Sequence, residues 1–507
     1  MGCSHSSTLD TKIPNKKRSS KTSKTIQKVF KKEIDEYYIN YKSQELISNN
    51  GKIKITKALH IPTNQIRLCK QFFKASIIGP NRINEHLDEL LETFCDIDDH
   101  PNIPKIFEYF EDDISFHVII EFSKGKELLN YIEHVENFTE RQVAIIMEQL
   151  FSCLNYLHEN DIVHCNVMPE NIILDSEKIG NYYLQLANFE NASVVSIEKE
   201  EDLKNKDNDL EGVKYGHCYF LSPNRLIGKR DFKDDMWSCG VIMFILLCGY
   251  PPFISEHLGS LLEKIKKGKF TFIEKDWENI SIEAKNLVEK LLALNPKKRI
   301  SSSNALNDPW IIKHLKTRNK ETEQKINVND LQINTRLRKF SHMHSFERAV
   351  MAFIVRHMST NQQANQLRDI FKLMDVNREG RLTYEELSNG YKKFFKKTTL
   401  THEEYMEIVD SFDRDGSEYV EFEEFLAAFL KSELILTEKN LKFAFDYFDE
   451  DKSGQLSAEE IKRILTFNSC IDGKKINIDE MINSFDKDSD GQISFDEFLG
   501  LMRKILN

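Results

Sequence analysis

The sequence predicts an α+β body followed by an all-α one, with a helical segment between them. Three observations lead there. At 507 residues the chain exceeds one hydrophobic core and divides into roughly two to four domains. Between about residues 37 and 312 a series of short landmarks stands in a fixed order. In the last third, four carboxylate-rich loops begin at Asp375, Asp413, Asp449 and Asp486, spacings of 38, 36 and 37 residues (413−375, 449−413, 486−449).

Composition narrows the class. The chain is 40% hydrophobic and 30% charged, with little Gly or Pro, as expected of folded domains and not of a disordered chain. Its longest apolar stretch, Gly240 to Gly249, is too short for a membrane span and reads as a buried helix. The first residues lack the form of a secretory signal, and the 9 cysteines make no CxxC pair, so a reducing cytosol is expected.

The net charge of −11 is unevenly placed. Residues 1–32 carry nine Lys/Arg against Asp10 alone, a local charge of +8 (9 − 1). The chain opens Met-Gly-Cys-Ser-His-Ser, in which Gly2 followed by Ser6 fits N-myristoylation and Cys3 is placed for palmitoylation. Two acyl chains, or one with a polybasic patch, make membrane binding stable. The expected location is therefore the cytoplasmic face of a membrane. Nucleic acid is not expected as a partner, because the basic run has no interleaved aromatics.

The four acidic loops fit a twelve-residue calcium loop. That loop needs oxygen ligands at positions 1, 3, 5, 7, 9 and 12, with glycine at 6 for the turn. The third supplies Asp449, Asp451, Ser453, Gln455 and Glu460 around Gly454. The fourth supplies Asp486, Asp488, Asp490, Gln492 and Glu497 around Gly491. Leu456 and Ile493, at position 8 of each, should pair as a short β-bridge. The first offers Asp375, Asn377, Glu379, Arg381 and Glu386, with an unusually long side chain at position 5. The second offers Asp413, Asp415, Ser417, Tyr419 and Glu424, with Glu418 where glycine is wanted. A side chain there costs about 1 kcal/mol, so this loop should bind more weakly. Position 7 contributes its backbone carbonyl, which any residue carries.

The landmarks of the first body are Lys70, His100-Pro101-Asn102-Ile103, Glu121, the stretch His164 to Asn171 (HCNVMPEN), Asn188-Phe189-Glu190, Ser222-Pro223-Asn224, Asp235 to Gly240 (DMWSCG), Pro251-Pro252-Phe253 and Arg299. In this order they resemble both lobes of a protein kinase. With four calmodulin-like hands behind them, the whole chain resembles the calcium-dependent protein kinases of plants and protists. The resemblance implies a bilobal protein-kinase-like fold followed by an all-α calmodulin-like EF-hand domain. It also implies a regulatory junction, a part that Arg336 to Met358 fits. Phe346, Val350, Phe353, Ile354 and His357 recur there at helical spacing beside several basic residues. The expected boundaries are a tail over 1–36, the kinase-like domain over 37–312, the junction over 313–360 and the EF-hand domain over 361–507.

The kinase chemistry is depleted. Phosphoryl transfer works by positioning and charge stabilisation, with magnesium clamped by an Asp and an Asn. Asn166 stands where the resemblance places the catalytic Asp, and an amide cannot take the substrate's proton. Met168 replaces a lysine, and Asn188 replaces the metal-binding Asp. Glu190 replaces a glycine, and the glycine-rich loop has shrunk to Gly51 within LISNNGKIKI. A gapless count places Leu91 where Lys70 should find its Glu partner; Asn224 stands opposite the retained Arg299 in place of a Glu, and His217 replaces a threonine. A pseudokinase is expected. Lys70 and Asn171 remain, and with Glu190 as a substitute ligand they are the residues that would hold ATP and magnesium. Three functions follow from this set: a calcium-regulated platform for a protein partner, a weak calcium-activated Ser/Thr kinase with a rearranged site, or a calcium buffer.

Overall fold

The computed structural model describes residues 34–39, 46–49, 53–74, 100–123, 125–134, 138–175, 182–194, 215–316, 336, 343, 345–357, 362–394, 419–467, 482 and 485–505. Gly2, Cys3, Gly51, Leu91, Asp413, Asp415, Ser417 and Glu418 lie outside these residues, as does the acidic segment Glu198 to Glu211.

The first body opens with an antiparallel sheet: β1 (Tyr38–Ile39), β2 (Leu46–Asn49), β3 (Ile53–His60), β4 (Gln65–Phe73), β5 (Ile106–Glu111) and β6 (Ser115–Glu121). Its order is β1-β3-β4-β6-β5, with β2 paired to β3. β4 pairs with β3 on one side and β6 on the other, which fixes Lys70 between Ile55 and Val118. β5 and β6 are buried along almost their whole length, whereas β3 and β4 alternate buried with partly exposed residues, as a sheet with one covered face does.

Below the sheet lies a helical lobe. The helix α1 (Glu140–Glu159) starts with a capping box, Gln142 N donating to Thr139 Oγ1 while Thr139 N donates to Gln142 Oε1. The strands β7 (Ile172–Asp175) and β8 (Tyr183–Leu186) pair in register Ile172↔Leu186 and frame the cleft floor. The expected buried helix is α2 (Phe232–Cys248), which ends on Gly249 at φ +87°. Met236 to Phe244 along it are almost wholly buried.

The second body is helical: α3 (Ser345–His357), α4 (Gln362–Met374), α5 (Tyr384–Phe394), α6 (Phe422–Phe429), α7 (Glu438–Phe448), α8 (Ala458–Phe467) and α9 (Phe495–Lys504). Two-residue strands join its loops in pairs. Leu382 faces Val420 across the first and second loops, and Leu456 faces Ile493 across the third and fourth, the expected bridge.

The junction helix α3 forms the centre of this body. Phe346, Val350, Phe353, Ile354 and His357 are all buried, in the same hydrophobic core as α4 to α9. The Phe353 ring touches Tyr447 and Phe448 of the third hand at 4.8 and 4.7 Å, and Phe346 meets Phe498 of the fourth at 6.1 Å. On its other side, Arg356 pairs with Glu423 of α6 at 3.3 Å. The hands therefore clasp the junction, and its apolar spacing is the spacing of a core helix.

The second body also rests on the first. Arg356 donates to Ile106 O at 2.6 Å, Lys105 pairs with Glu423 at 2.8 Å, and His60 stacks edge-on against Phe443 at 5.2 Å.

Candidate functional site

The cleft between sheet and helical lobe is held from below by Asp235. Its two carboxylate oxygens accept the N–H groups of His164 and Cys165, each at 2.9 Å, which shapes the turn carrying Asn166. Cys165 sits at φ +61°, a left-handed turn for a side-chain-bearing residue. The buried His164 ring donates to Ala187 O and stacks edge-on against Phe189 at 4.8 Å; burial lowers its pKa. One turn is thereby tied to the other.

Within the cleft, four polar side chains are linked in a chain of hydrogen bonds. Lys70 Nζ donates to Asn188 Oδ1 at 2.7 Å and to Glu190 Oε1 at 2.5 Å. Asn188 Nδ2 donates to Asn171 Oδ1 at 2.7 Å, and Asn171 Nδ2 donates to Asn166 O at 2.7 Å. Asn188 itself is held at φ +66°. Lys70 and Glu190 are largely buried, with side-chain exposures of 6% and 16%. Met168 is buried in the core of the helical lobe, so the position that a kinase gives to a cation is part of the packing. The sequence places Glu190 as a possible metal ligand; the structure places its carboxylate on the lysine.

Arg299 has kept its buried place without its usual partner. Its guanidinium donates to Lys233 O at 2.6 Å and Ala293 O at 3.0 Å, lies 3.8 Å from Asp234, and stacks over Trp237 at 4.9 Å. Burial pushes the Asp234 carboxyl up to about 6.

The loops of the second body share one geometry. Position 4 is left-handed in each described loop (Arg378 φ +60°, Lys452 +57°, Ser489 +60°), as is the glycine at position 6 (Gly380 +80°, Gly454 +83°, Gly491 +83°). The Asp at position 1 accepts the N–H of that glycine: Asp375 from Gly380 at 2.9 Å, Asp449 from Gly454 at 2.8 Å, Asp486 from Gly491 at 2.7 Å. The Glu at position 12 folds back on the loop, with Glu386, Glu460 and Glu497 accepting from the N–H of Val376, Glu450 and Lys487.

Asp449, Asp451 and Glu460 bring one oxygen each within 4.8 Å of one another, and so do Asp486, Asp488 and Glu497. Hard oxygen donors in this spacing fit calcium. Gln455 Nε2 donates to Asp490 Oδ2 at 2.6 Å, a link between the third and fourth loops. In the first loop, burial pushes the Asp375 carboxyl up to about 8, and Glu379 lies 3.8 Å from the Arg381 guanidinium. Arg381 also stacks over Tyr419 at 3.9 Å. Of the second loop, Tyr419 and Glu424 are described; Glu424 accepts from Glu421 N at 3.0 Å.

Two features escaped the sequence. One is the Lys70–Glu190 pair, although a carboxylate two residues from Asn188 was visible. The other is the burial of the first loop against the helical lobe, which involves Arg378, a position that carries no ligand and no motif signal.

Comparison with known proteins agrees with this architecture. A protein kinase domain model matches residues 41–311, and an EF-hand domain pair model matches residues 364–430 and 438–503. The chain is similar to calcium-dependent protein kinase 3 of Plasmodium berghei, 33% identical over 410 residues that cover 80% of this chain and 70% of that protein. It is 32% identical over 419 residues to calcium-dependent protein kinase 4 of Plasmodium falciparum, covering 81% and 76%. Calcium-dependent protein kinase 17 of Arabidopsis thaliana is 30% identical over 437 residues, covering 86% and 78%.

Proposed function

This chain belongs to the calcium-dependent protein kinase family, a kinase domain fused to EF-hand pairs, and on that premise we propose that it is a calcium sensor whose kinase-like domain serves as a binding platform. Calcium would be held by the carboxylates of the third and fourth loops and by Asp375, Asn377 and Glu386 of the first. Its binding orders loops that are joined through α3 to the first body. Acyl chains on Gly2 and Cys3, with the basic tail, hold the protein on the cytoplasmic face of a membrane. Among the described residues no helix is long and apolar enough to cross one.

One observation carries the pseudokinase reading: Lys70 is neutralised inside its own cleft by Glu190, at 2.5 Å. In a working kinase this lysine faces nucleotide phosphates and the neighbouring Asp holds magnesium. Here the oxygen at position 188 is an amide already accepting from Lys70, and the carboxylate at position 190 is on the same cation. This donor set does not fit a magnesium–nucleotide complex. The test is thermal unfolding of the full chain with ATP, with and without magnesium, in calcium and in chelator. A ligand at a hundred times its Kd adds about 2.7 kcal/mol. No shift in any condition is the expected result; a magnesium-dependent shift accompanied by phosphotransfer overturns it.

The weak-kinase reading draws on the convergence of Lys70, Asn171 and Glu190 in one cleft, and the same assay decides it. A calcium buffer needs no moving part. A change in proteolysis of the 313–360 junction at micromolar calcium separates sensor from buffer.

A further inference from the structure

Hands one, three and four have the same loop shape but different surroundings. In the third and fourth, the turn at positions 3 to 6 is exposed, and nothing lies within 4 Å of where a Cβ on Gly454 or Gly491 would stand. In the first, Gly380 is buried, and a Cβ on it would lie 2.0 Å from His100 Cδ2. The loop backbone is pressed directly onto a ring of the kinase-like domain.

Further contacts surround that point. Ser152 Oγ donates to Arg378 O at 2.7 Å, and Arg378 Nη1 donates to Leu306 O at 2.8 Å. The Arg378 guanidinium also lies 4.0 Å from Glu148, and Arg381 pairs with Glu159 at 3.4 Å. On the incoming helix, Lys372 donates to Gln149 Oε1 at 3.2 Å and sits over the Tyr183 ring at 5.0 Å. Glu148, Gln149, Ser152 and Glu159 all project from α1, so one helix of the kinase-like domain supplies most of these contacts, with His100 and Leu306 O completing them.

We propose that hand one is a composite site, in which α1 and His100 hold the loop in its calcium-binding shape, so that calcium affinity at this hand and docking of the EF-hand body strengthen each other. The proposal rests on the calcium reading of the loops. The physical reason is ordering. A free loop must lose conformational freedom when it wraps an ion, and a loop already fixed by Ser152, His100 and Glu159 has less to lose. The docked loop has the same left-handed turns and the same Asp-to-glycine N–H bond as the exposed hands, so docking imposes no competing shape. By linkage, whatever factor docking adds to calcium affinity, calcium adds to docking.

The experiment is calcium titration of the full chain in four forms: native, Glu386→Gln, Ser152→Ala/Glu159→Ala and Arg378→Ala. The difference between native and Glu386→Gln isolates hand one. Neither Ser152 nor Glu159 belongs to a loop, and position 4 supplies no ligand. Each docking variant should weaken hand one by roughly five-fold or more and leave the third and fourth hands unchanged. Those unchanged hands, with circular dichroism, also report that the variants are folded. In the reciprocal measurement, calcium should slow amide exchange along residues 148–159 in the native chain but not in Glu386→Gln. If hand one binds calcium with the same affinity in the docking variants, the composite site is wrong while the calcium reading stands. If Glu386→Gln removes no calcium from the stoichiometry, hand one is no calcium site and both ideas fall for this loop.

Discussion

Lys70 and Glu190, separated by 120 residues, form a buried ion pair at 2.5 Å across the cleft. In the kinase pattern the lysine's partner comes from a helix of the upper lobe, where the count places Leu91. The partner used here comes from the lower lobe, at a position that the pattern gives to glycine. The pair thus ties the two lobes together through the volume where phosphates and magnesium would lie. On the proposed pseudokinase reading, the lysine serves as a structural cation.

Removing one member should cost more than removing both. Glu190→Ala leaves Lys70 buried with Asn188 Oδ1 as its remaining acceptor in the cleft network, a loss of about 3 kcal/mol. Lys70→Met/Glu190→Leu removes both charges and should recover most of that, because a buried ion pair is often no better than apolar residues of similar size. Denaturant unfolding of the three proteins decides it. Equal stability of native and Glu190→Ala would mean that the pair is not formed in solution.

Restoring the lost carboxylates alone should not restore activity. In Asn166→Asp/Asn188→Asp, an acid at 188 faces Asn171 Oδ1, which now accepts from the Asn188 amide, while Glu190 still competes for Lys70. Adding Glu190→Gly frees the lysine and returns the glycine to its motif. Phosphotransfer to a generic Ser/Thr substrate in calcium is expected only from the triple variant, at least about ten-fold above native, a barrier change of about 1.4 kcal/mol. Activity in the native chain would sink the pseudokinase reading.

Acid should loosen the seat of the EF-hand body. His60 and His357 lie at its contact with the upper lobe, and burial, reinforced by the nearby Arg67, lowers the pKa of both. Burial also lowers His100 to about 3. A folded-state pKa below the unfolded value of about 6.5 means that the unfolded chain binds protons the folded one refuses. The stability these groups contribute is therefore complete above about pH 6.5 and is lost as pH falls below it. Each fully linked proton steepens the loss by about 1.4 kcal/mol per pH unit. Urea midpoints between pH 7.5 and 5 should fall steeply for the native chain, and less so for His60→Leu/His357→Leu. Parallel curves would show that neither ring is buried neutral.

What the sequence made legible follows from how local the governing physics is. In a calcium loop every ligand has a fixed offset, so Asp449 to Glu460 could be read one position at a time, and Leu456 opposite Ile493 followed from the pairing of loops. The α2 helix was legible because GVIMFILLCG has no polar face to expose. The departures from the kinase pattern were legible because residue type alone says that Asn166 is an amide where the pattern has a carboxylate. The Lys70–Glu190 pair was not, since it depends on where a strand and a distant helical turn deliver their side chains. Nor was the seat of α3: the spacing of Phe346, Val350 and Phe353 demands an apolar neighbour but does not say which one. The contact of Arg378 with Leu306 O depends on the shapes of two separate bodies and leaves no pattern in either.

The third and fourth hands should not bind calcium independently. Their loops share the Leu456–Ile493 bridge, and Gln455 reaches across to Asp490. Lys487 N and Ser494 N donate to different oxygens of Glu497, so Glu497→Gln keeps an acceptor for one of them and removes one carboxylate charge from the fourth site. Hand four should weaken by about ten-fold, since ligand charge is what sets affinity in such loops. Hand three should weaken too, by roughly five-fold, because its partner strand is less often ordered. Hand one pairs with Tyr419–Val420 through a separate bridge and should be unaffected. Titrations of native, Glu460→Gln and Glu497→Gln proteins measure all three effects. If each substitution affects only its own site, the bridge transmits nothing and the paired hands are independent.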